Sequence, residues 1–185
     1  MPRLIGLYSP APQSGKTTIA NQLTVQGFMK VSFAAPLRAL VVETLCQLGH
    51  DRITAFDYVH RYKEQQIPGI RCSARHLMQT LGTEWGRQCV HPDVWVQVAS
   101  KRIRDLHAAG YSVVIDDCRF PNEARLILEL GGELWHVERL GVTANTDHAS
   151  EGALTDPELF THRIVNDGTL QQLREQVAAR LHGVV

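Results

Sequence analysis

A short apolar run, Leu4–Tyr8, empties into Ser9-Pro10-Ala11-Pro12-Gln13-Ser14-Gly15-Lys16-Thr17, and a helix-compatible stretch from Lys16 to about Gln26 follows. No other feature restricts the fold as much. A Gly-Lys-Thr triplet between a strand and a helix is the setting of a phosphate-binding loop. In such a loop backbone N–H groups turn onto phosphate oxygens and the helix N-terminus adds the positive end of its dipole. Gly15 lets the backbone approach closely, Lys16 can reach terminal phosphates, and the Thr17 hydroxyl suits Mg²⁺. The entry departs from the usual G-x-x-x-x-G-K-[ST] pattern, because Pro10 stands where glycine is expected. Proline has no N–H and a fixed φ, so the entry must turn differently. Away from a strand, the same triplet would be an exposed helix start.

The strand context extends along the chain. Met29–Phe33 reads as a second strand, and Pro36 opens a helix to about Leu48. Residues 51–72 read as a polar, irregular surface insertion. Ser73 is a good N-cap for a helix to about Gln88. Pro92-Asp93 starts another, with Trp95, Val98, Ala99, Ile103 and Leu106 near one face and Gly110 as its stop. Tyr111–Ile115 is a β-branched run, as expected of a strand buried on both faces. A helix after Pro121, a strand near Leu134–Val137, a less regular stretch over 139–161, a strand at Arg163–Val165 and a terminal helix complete the pattern. Short buried strands alternating with helices indicate an α/β fold with a parallel sheet covered on both sides, in one domain over 1–185.

Composition narrows the class. The 185 residues allow one domain with a substantial core. Nineteen basic against 19 acidic residues argue against a dedicated nucleic-acid binder, and no stretch approaches a membrane span. The N-terminus has no signal-peptide pattern, so a cytoplasmic location is expected. Cys46, Cys72, Cys89 and Cys118 form no C-x-x-C pair and read as reduced, mostly buried thiols.

A phosphate-binding loop that works with Mg²⁺ needs a carboxylate across from it, at the C-terminal end of a neighbouring strand, to hold the metal's shell. Val113-Val114-Ile115-Asp116-Asp117 supplies it, with Asp116 the better placed and Asp117 the alternate. A turn carboxylate capping the next helix is the competing reading. Arg119 follows, where it could grip a transferring or acceptor phosphate or pair with Glu123.

Four further segments keep a fixed order behind the loop: Phe33-Ala34-Ala35-Pro36-Leu37-Arg38, Gln79-Thr80-Leu81-Gly82-Thr83-Glu84-Trp85-Gly86-Arg87, Val114–Ala124 and Ile164–Leu170. Together with the loop they resemble the deoxynucleoside monophosphate kinases of bacteriophages, from about residue 4 to 173. The resemblance implies a three-layer P-loop nucleoside-triphosphate-hydrolase fold with a central, mainly parallel five-stranded sheet. It implies phosphoryl transfer from ATP to a deoxynucleoside 5′-monophosphate, with Mg²⁺. By that analogy Gln13, Ser14, Gly15, Lys16, Thr17 and Thr18 serve ATP, and Asn166 contacts adenine. Thr17, Asp116 and Asp117 serve the metal. Arg38, Arg75, Gln79 and Trp85, from an acceptor-binding region of about 36–95, serve the acceptor together with Arg119. Residues 139–155 would form a lid from which Arg139 reaches the transition-state charge, joining Lys16 and Arg119 as catalytic groups. The expected partners are small molecules, with no nucleic acid and no membrane; a homodimer stays open.

The helix after Ser73 also carries a stripe. Leu77, Leu81 and Trp85 recur every four residues and should face the core, leaving Arg75, Gln79 and Thr83 opposite, where they could line a nucleotide cleft or meet solvent. Asp93 and Trp95 are either cleft residues or a helix cap and a core aromatic. His148, Ser150 and Glu151 form a polar cluster without an assigned role. Two other readings compete: a kinase of another small acceptor, such as dephospho-coenzyme A, and a nucleotide-dependent switch or assembly ATPase.

Overall fold

The computed structural model describes residues 2–139, 141, 154 and 156–183. Its residues group into two compact units, Met1–Phe33 with Ala99–Val185, and Ala34–Val98.

The first unit is a five-stranded sheet in the order β2-β3-β1-β4-β5, with every neighbouring pair parallel. Its strands are β1 (Leu4–Tyr8), β2 (Met29–Val31), β3 (Val113–Ile115), β4 (Glu133–Glu138) and β5 (His162–Val165). The chain leaves β1 through α1 (Lys16–Val25) for β2 at one edge, then returns through β3 and steps past β1 to β4. Strand order therefore reverses beside β1, and the crevice at the C-terminal strand ends of such a switch point is where open α/β sheets bind ligands.

Alternation along β1 sends its side chains to two different layers. Ile5 and Leu7 join Ile19, Ala20 and Leu23 of α1, Val114, Trp135, Val137 and Ile164, and Leu173 and Val177 of α7 (Leu170–His182) in one buried cluster. On the other face Gly6 meets α6 (Pro121–Glu129): a Cβ there would stand 2.5 Å from Ile127 and 3.0 Å from Leu134. Glycine is the residue that lets α6 lie this close. Helices on both faces and the five strands confirm the expected three-layer α/β fold.

The second unit is helical: α2 (Ala35–Gln47), α3 (Arg52–His60), α4 (Ala74–Thr80), a π-helical segment Leu81–Val90, and the start of α5 (Val94–Ala108). Its core gathers Val41, Val42, Leu45, Ala55, Val59, Ile67 and Ala74. Three expectations are corrected here. The stretch 51–72, read as irregular, contains α3, capped by Asp51, whose carboxylate accepts from the N–H groups of Ile53 and Thr54. Its burial rests on Ala55 and Val59, while the larger Ile53 and Phe56 are exposed, which hid the periodicity. The helix after Ser73 changes at Leu81 to π geometry, whose bonds reach one residue further per turn. The α spacing is lost there, so Leu77 and Leu81 pack against the core but Trp85 does not and is 48% exposed. Finally, Cys118 is buried but Cys46 and Cys72 are only half-buried and Cys89 is exposed.

Candidate active site

The loop turns on two left-handed residues, Gln13 (φ 55°) and Gly15 (φ 107°). Gly15 also caps α1 without a side chain. The first N–H groups of a helix have no intrahelical partner, and a helix N-terminus such as that of α1 favours an anion. A Cβ on Gly15 would lie 2.5 Å from the Asn166 amide nitrogen, so space as well as φ requires glycine. Pro10 and Pro12 have no N–H, and that of Ala11 donates to Ser9 Oγ at 3.2 Å. The entry is thus closed by its own hydroxyl, and donors for a ligand begin at Gln13. Lys16 folds back across the loop, its Nζ 3.3 Å from Ser14 Oγ and 3.4 Å from the Ala11 carbonyl.

Two expected site residues reach the loop from the ends of β4 and β5, β4 being the strand beside β1. The Arg139 guanidinium donates to the Gln13 carbonyl at 3.1 Å, and the Asn166 amide donates to the Ser14 carbonyl at 2.9 Å. Phe160 stacks on both Tyr8, at the end of β1, and His136 of β4, and the Tyr8 and His136 rings meet at a tilt. His136 Nδ1 lies 3.1 Å from Glu138, and its Nε2 is buried with no hydrogen-bond partner among the described residues. Burial holds the His136 pKa below its ordinary value; Glu138 opposes this, and Arg163 and Lys16 add to it.

The two acids after β3 have separate partners. Lys30, in register with Val114, pairs with Asp116 at 2.5 Å. Val114 packs in the cluster with α1, so this pair belongs to the loop's side of the sheet. Asp117 instead accepts from the Ser32 hydroxyl and from the Phe33 N–H at 3.0 Å. It thereby secures the last residues of the first unit. Next to it, burial pushes the Cys118 thiol pKa well up, with Glu123 and Asp117 adding to the effect. The carboxylate of buried Glu123 accepts from the backbone N–H groups of Arg119 (2.8 Å) and Phe120 (3.1 Å), which fixes the turn that presents the exposed Arg119 side chain. Lys30 and Ser32 were not foreseen, because only the parallel register of β2 on β3 brings them to the acids. The donor set suits Mg²⁺: Thr17, Asp116 and Asp117 offer hard oxygens, and this ion takes one or two carboxylates and completes its shell with water and phosphate.

The second unit carries the acceptor candidates. Arg38 lies in the first turn of α2. Burial, then the charges of Arg38 and Lys63, lower the His60 pKa, so these three groups share one region. Arg75 pairs with Glu64, and its N–H donates to the Lys63 carbonyl at 2.9 Å. Gln79 is half-buried on α4. Trp95 is the core aromatic: it is 4% exposed and its indole N–H donates to the Gly82 carbonyl at 2.9 Å. Most of the expected lid, 139–155, and with it His148, Ser150 and Glu151, lies outside the described residues.

A parallel sheet with its switch point beside β1, a glycine-lysine-threonine loop and an acidic neighbouring strand end define a P-loop nucleotide-binding protein. A family model of deoxynucleotide monophosphate kinases matches residues 47–177. A protein of Acanthamoeba polyphaga mimivirus, assigned by name to deoxynucleotide monophosphate kinase, is 32% identical over 94% of this chain and 93% of its own length. The chain belongs to the deoxynucleotide monophosphate kinase family. The deoxynucleoside-5′-monophosphate kinase of Escherichia phage T5 is 34% identical over 56% of this chain and 43% of its own. Dephospho-CoA kinase from Campylobacter jejuni superposes with a TM-score of 0.56 over 98% of this chain and 97% of its own, at 11% identity, a likeness of fold.

Proposed function

We propose that this kinase transfers the γ-phosphoryl group of ATP to a deoxynucleoside 5′-monophosphate, giving the diphosphate, in the cytoplasm and, for a phage protein, in that of the host. The observation that carries this reading is the loop, with Lys16 Nζ folded over it and its ligand donors starting at Gln13. Phosphoryl transfer asks little covalent chemistry of a protein; positioning and charge neutralisation supply most of the rate. Gln13, Ser14, Gly15 and the first turn of α1, with Thr17 and Thr18, would cradle the ATP phosphates. Lys16 would take their terminal charge. Arg119, held out by the Glu123-bound turn, would neutralise the group in flight. Arg38, Arg75, Gln79 and Trp85 would bind the acceptor, with Arg75 first releasing Glu64. Thr17, Asp116 and Asp117 would hold Mg²⁺, which would supply charge neutralisation of the transferring phosphate. Lys30 keeps the Asp116 carboxylate oriented meanwhile.

An acceptor panel tests this: purified protein, ATP and Mg²⁺ with deoxy- and ribonucleoside monophosphates, dephospho-coenzyme A, or no acceptor. Diphosphate from at least one deoxynucleotide is expected. Turnover only with dephospho-coenzyme A, or only without acceptor, would reject the proposal.

A further inference from the structure

The geometry points to Arg139 and Asn166 as positioning residues that hold the phosphate loop in its binding shape, an inference that rests on the phosphate-loop reading above. A trans peptide is planar, so the carbonyl of one residue and the N–H of the next point in opposite directions. Arg139 holds the Gln13 carbonyl, which directs the Ser14 N–H away from Arg139. Asn166 holds the Ser14 carbonyl, which directs the Gly15 N–H away from Asn166. Two successive donors are thereby aimed at the opposite side of the loop from the two side chains. Successive N–H groups in such a turn form an anion-binding concavity.

These two side chains have a common origin in the sheet. Glu138 of β4 is in register with Val165 of β5, and the Asn166 N–H continues that ladder to the Glu138 carbonyl at 2.7 Å. Arg139 and Asn166 are the next residues on their strands, so two neighbouring strand ends deliver two donors to two consecutive carbonyls. The loop has particular need of them. From Pro10 to Pro12 the loop has no N–H to offer a ligand, since the two prolines have none and that of Ala11 is used by Ser9. Gln13 must also hold a positive φ without being glycine, a conformation that costs energy unless its surroundings enforce it. The bond from Arg139 to the Gln13 carbonyl is such an enforcement. Asn166 does the same at Ser14 and fills the space that a Gly15 side chain would occupy.

Inorganic tripolyphosphate separates loop positioning from contact with adenine, because it has phosphates and no base. Calorimetric titration of Asn166→Ala and Arg139→Ala with ATP and with tripolyphosphate should show both ligands weakened together, by about ten-fold, the scale on which an orienting partner acts. The acceptor KM should stay near wild type, and Arg139→Lys should recover part of the loss. Asn166→Leu, similar in size but with no N–H to donate and no added charge, should behave like Asn166→Ala, and it serves if the alanine variant fails to fold. Weaker ATP binding with unchanged tripolyphosphate binding in Asn166→Ala would overturn the inference and make Asn166 a base contact. A lower kcat with unchanged binding in Arg139→Ala would overturn it for Arg139, leaving a role confined to the transition state. If wild type binds tripolyphosphate no better than Lys16→Ala does, the phosphate-loop reading itself falls.

Discussion

In the sheet unit the interior is filled by large apolar side chains, Ile5, Val114, Trp135 and Ile164 among them, each on a strand whose alternation points it inward. In the helical unit Gly82 and Gly86 are buried, while Ile53, Phe56 and Trp85 are exposed. The difference lies in what occupies the contact. The covered sheet fills most of its contacts with bulk, Gly6 under α6 excepted. The π-helical segment instead lets a neighbour come close through its glycines, and Trp95 packs over Gly86 with its indole bonded to Gly82. The sheet unit holds Arg139 against loop backbone and Lys30 against Asp116, and the helical unit gathers Arg38, His60 and Lys63 in one region.

The comparison can be broken most directly at the loop. Lys16→Ala should lower turnover by about 10²–10³-fold with thermal stability near wild type, because it removes a charge over the site and no core contact. A large fall in melting temperature would mean that Lys16 supports the fold. Next in size is Gly86→Ala, whose new Cβ would stand 2.5 Å from the buried Trp95 ring. Overpacking of this kind costs about 1–3 kcal/mol, measured by denaturant unfolding. The exposed Ile53→Ala should stay within about 0.5 kcal/mol. Equal effects would show that glycine contacts do not carry the helical interior. The smallest effect concerns His136. Its folded pKa lies below the ordinary 6.5, so its contribution is complete above that value and is lost as pH falls through the lowered folded pKa. Stability should therefore decline on acidification below about pH 6.5, and His136→Asn should flatten the slope there.

Much of the sheet was legible beforehand because burial on both faces leaves continuous apolar runs such as Val113–Ile115. The loop was legible because its chemistry demands particular residues in a row. The helix α3 was not, since its inward residues are the small Ala55 and Val59. Trp85 misled because a stripe at α spacing holds only while the helix stays α. The acids show the same limit. Asp116-Asp117 marks a strand end from local pattern alone, but Lys30 on one carboxylate and Ser32 on the other come from β2 and the residue after it, more than 80 residues earlier.

The sequence by itself determined the α/β class, the phosphate loop with its prolines at the entry, and the kinase family. Each is written in contiguous residues, because strand patterning and backbone-donor loops are local properties. Only the tertiary structure decided how the loop works without its leading glycine. Strand order and register place Arg139 and Asn166 beside each other at the ends of β4 and β5, and from there they reach two consecutive loop carbonyls. No local pattern specifies that meeting, because it depends on which strands lie together and at what register.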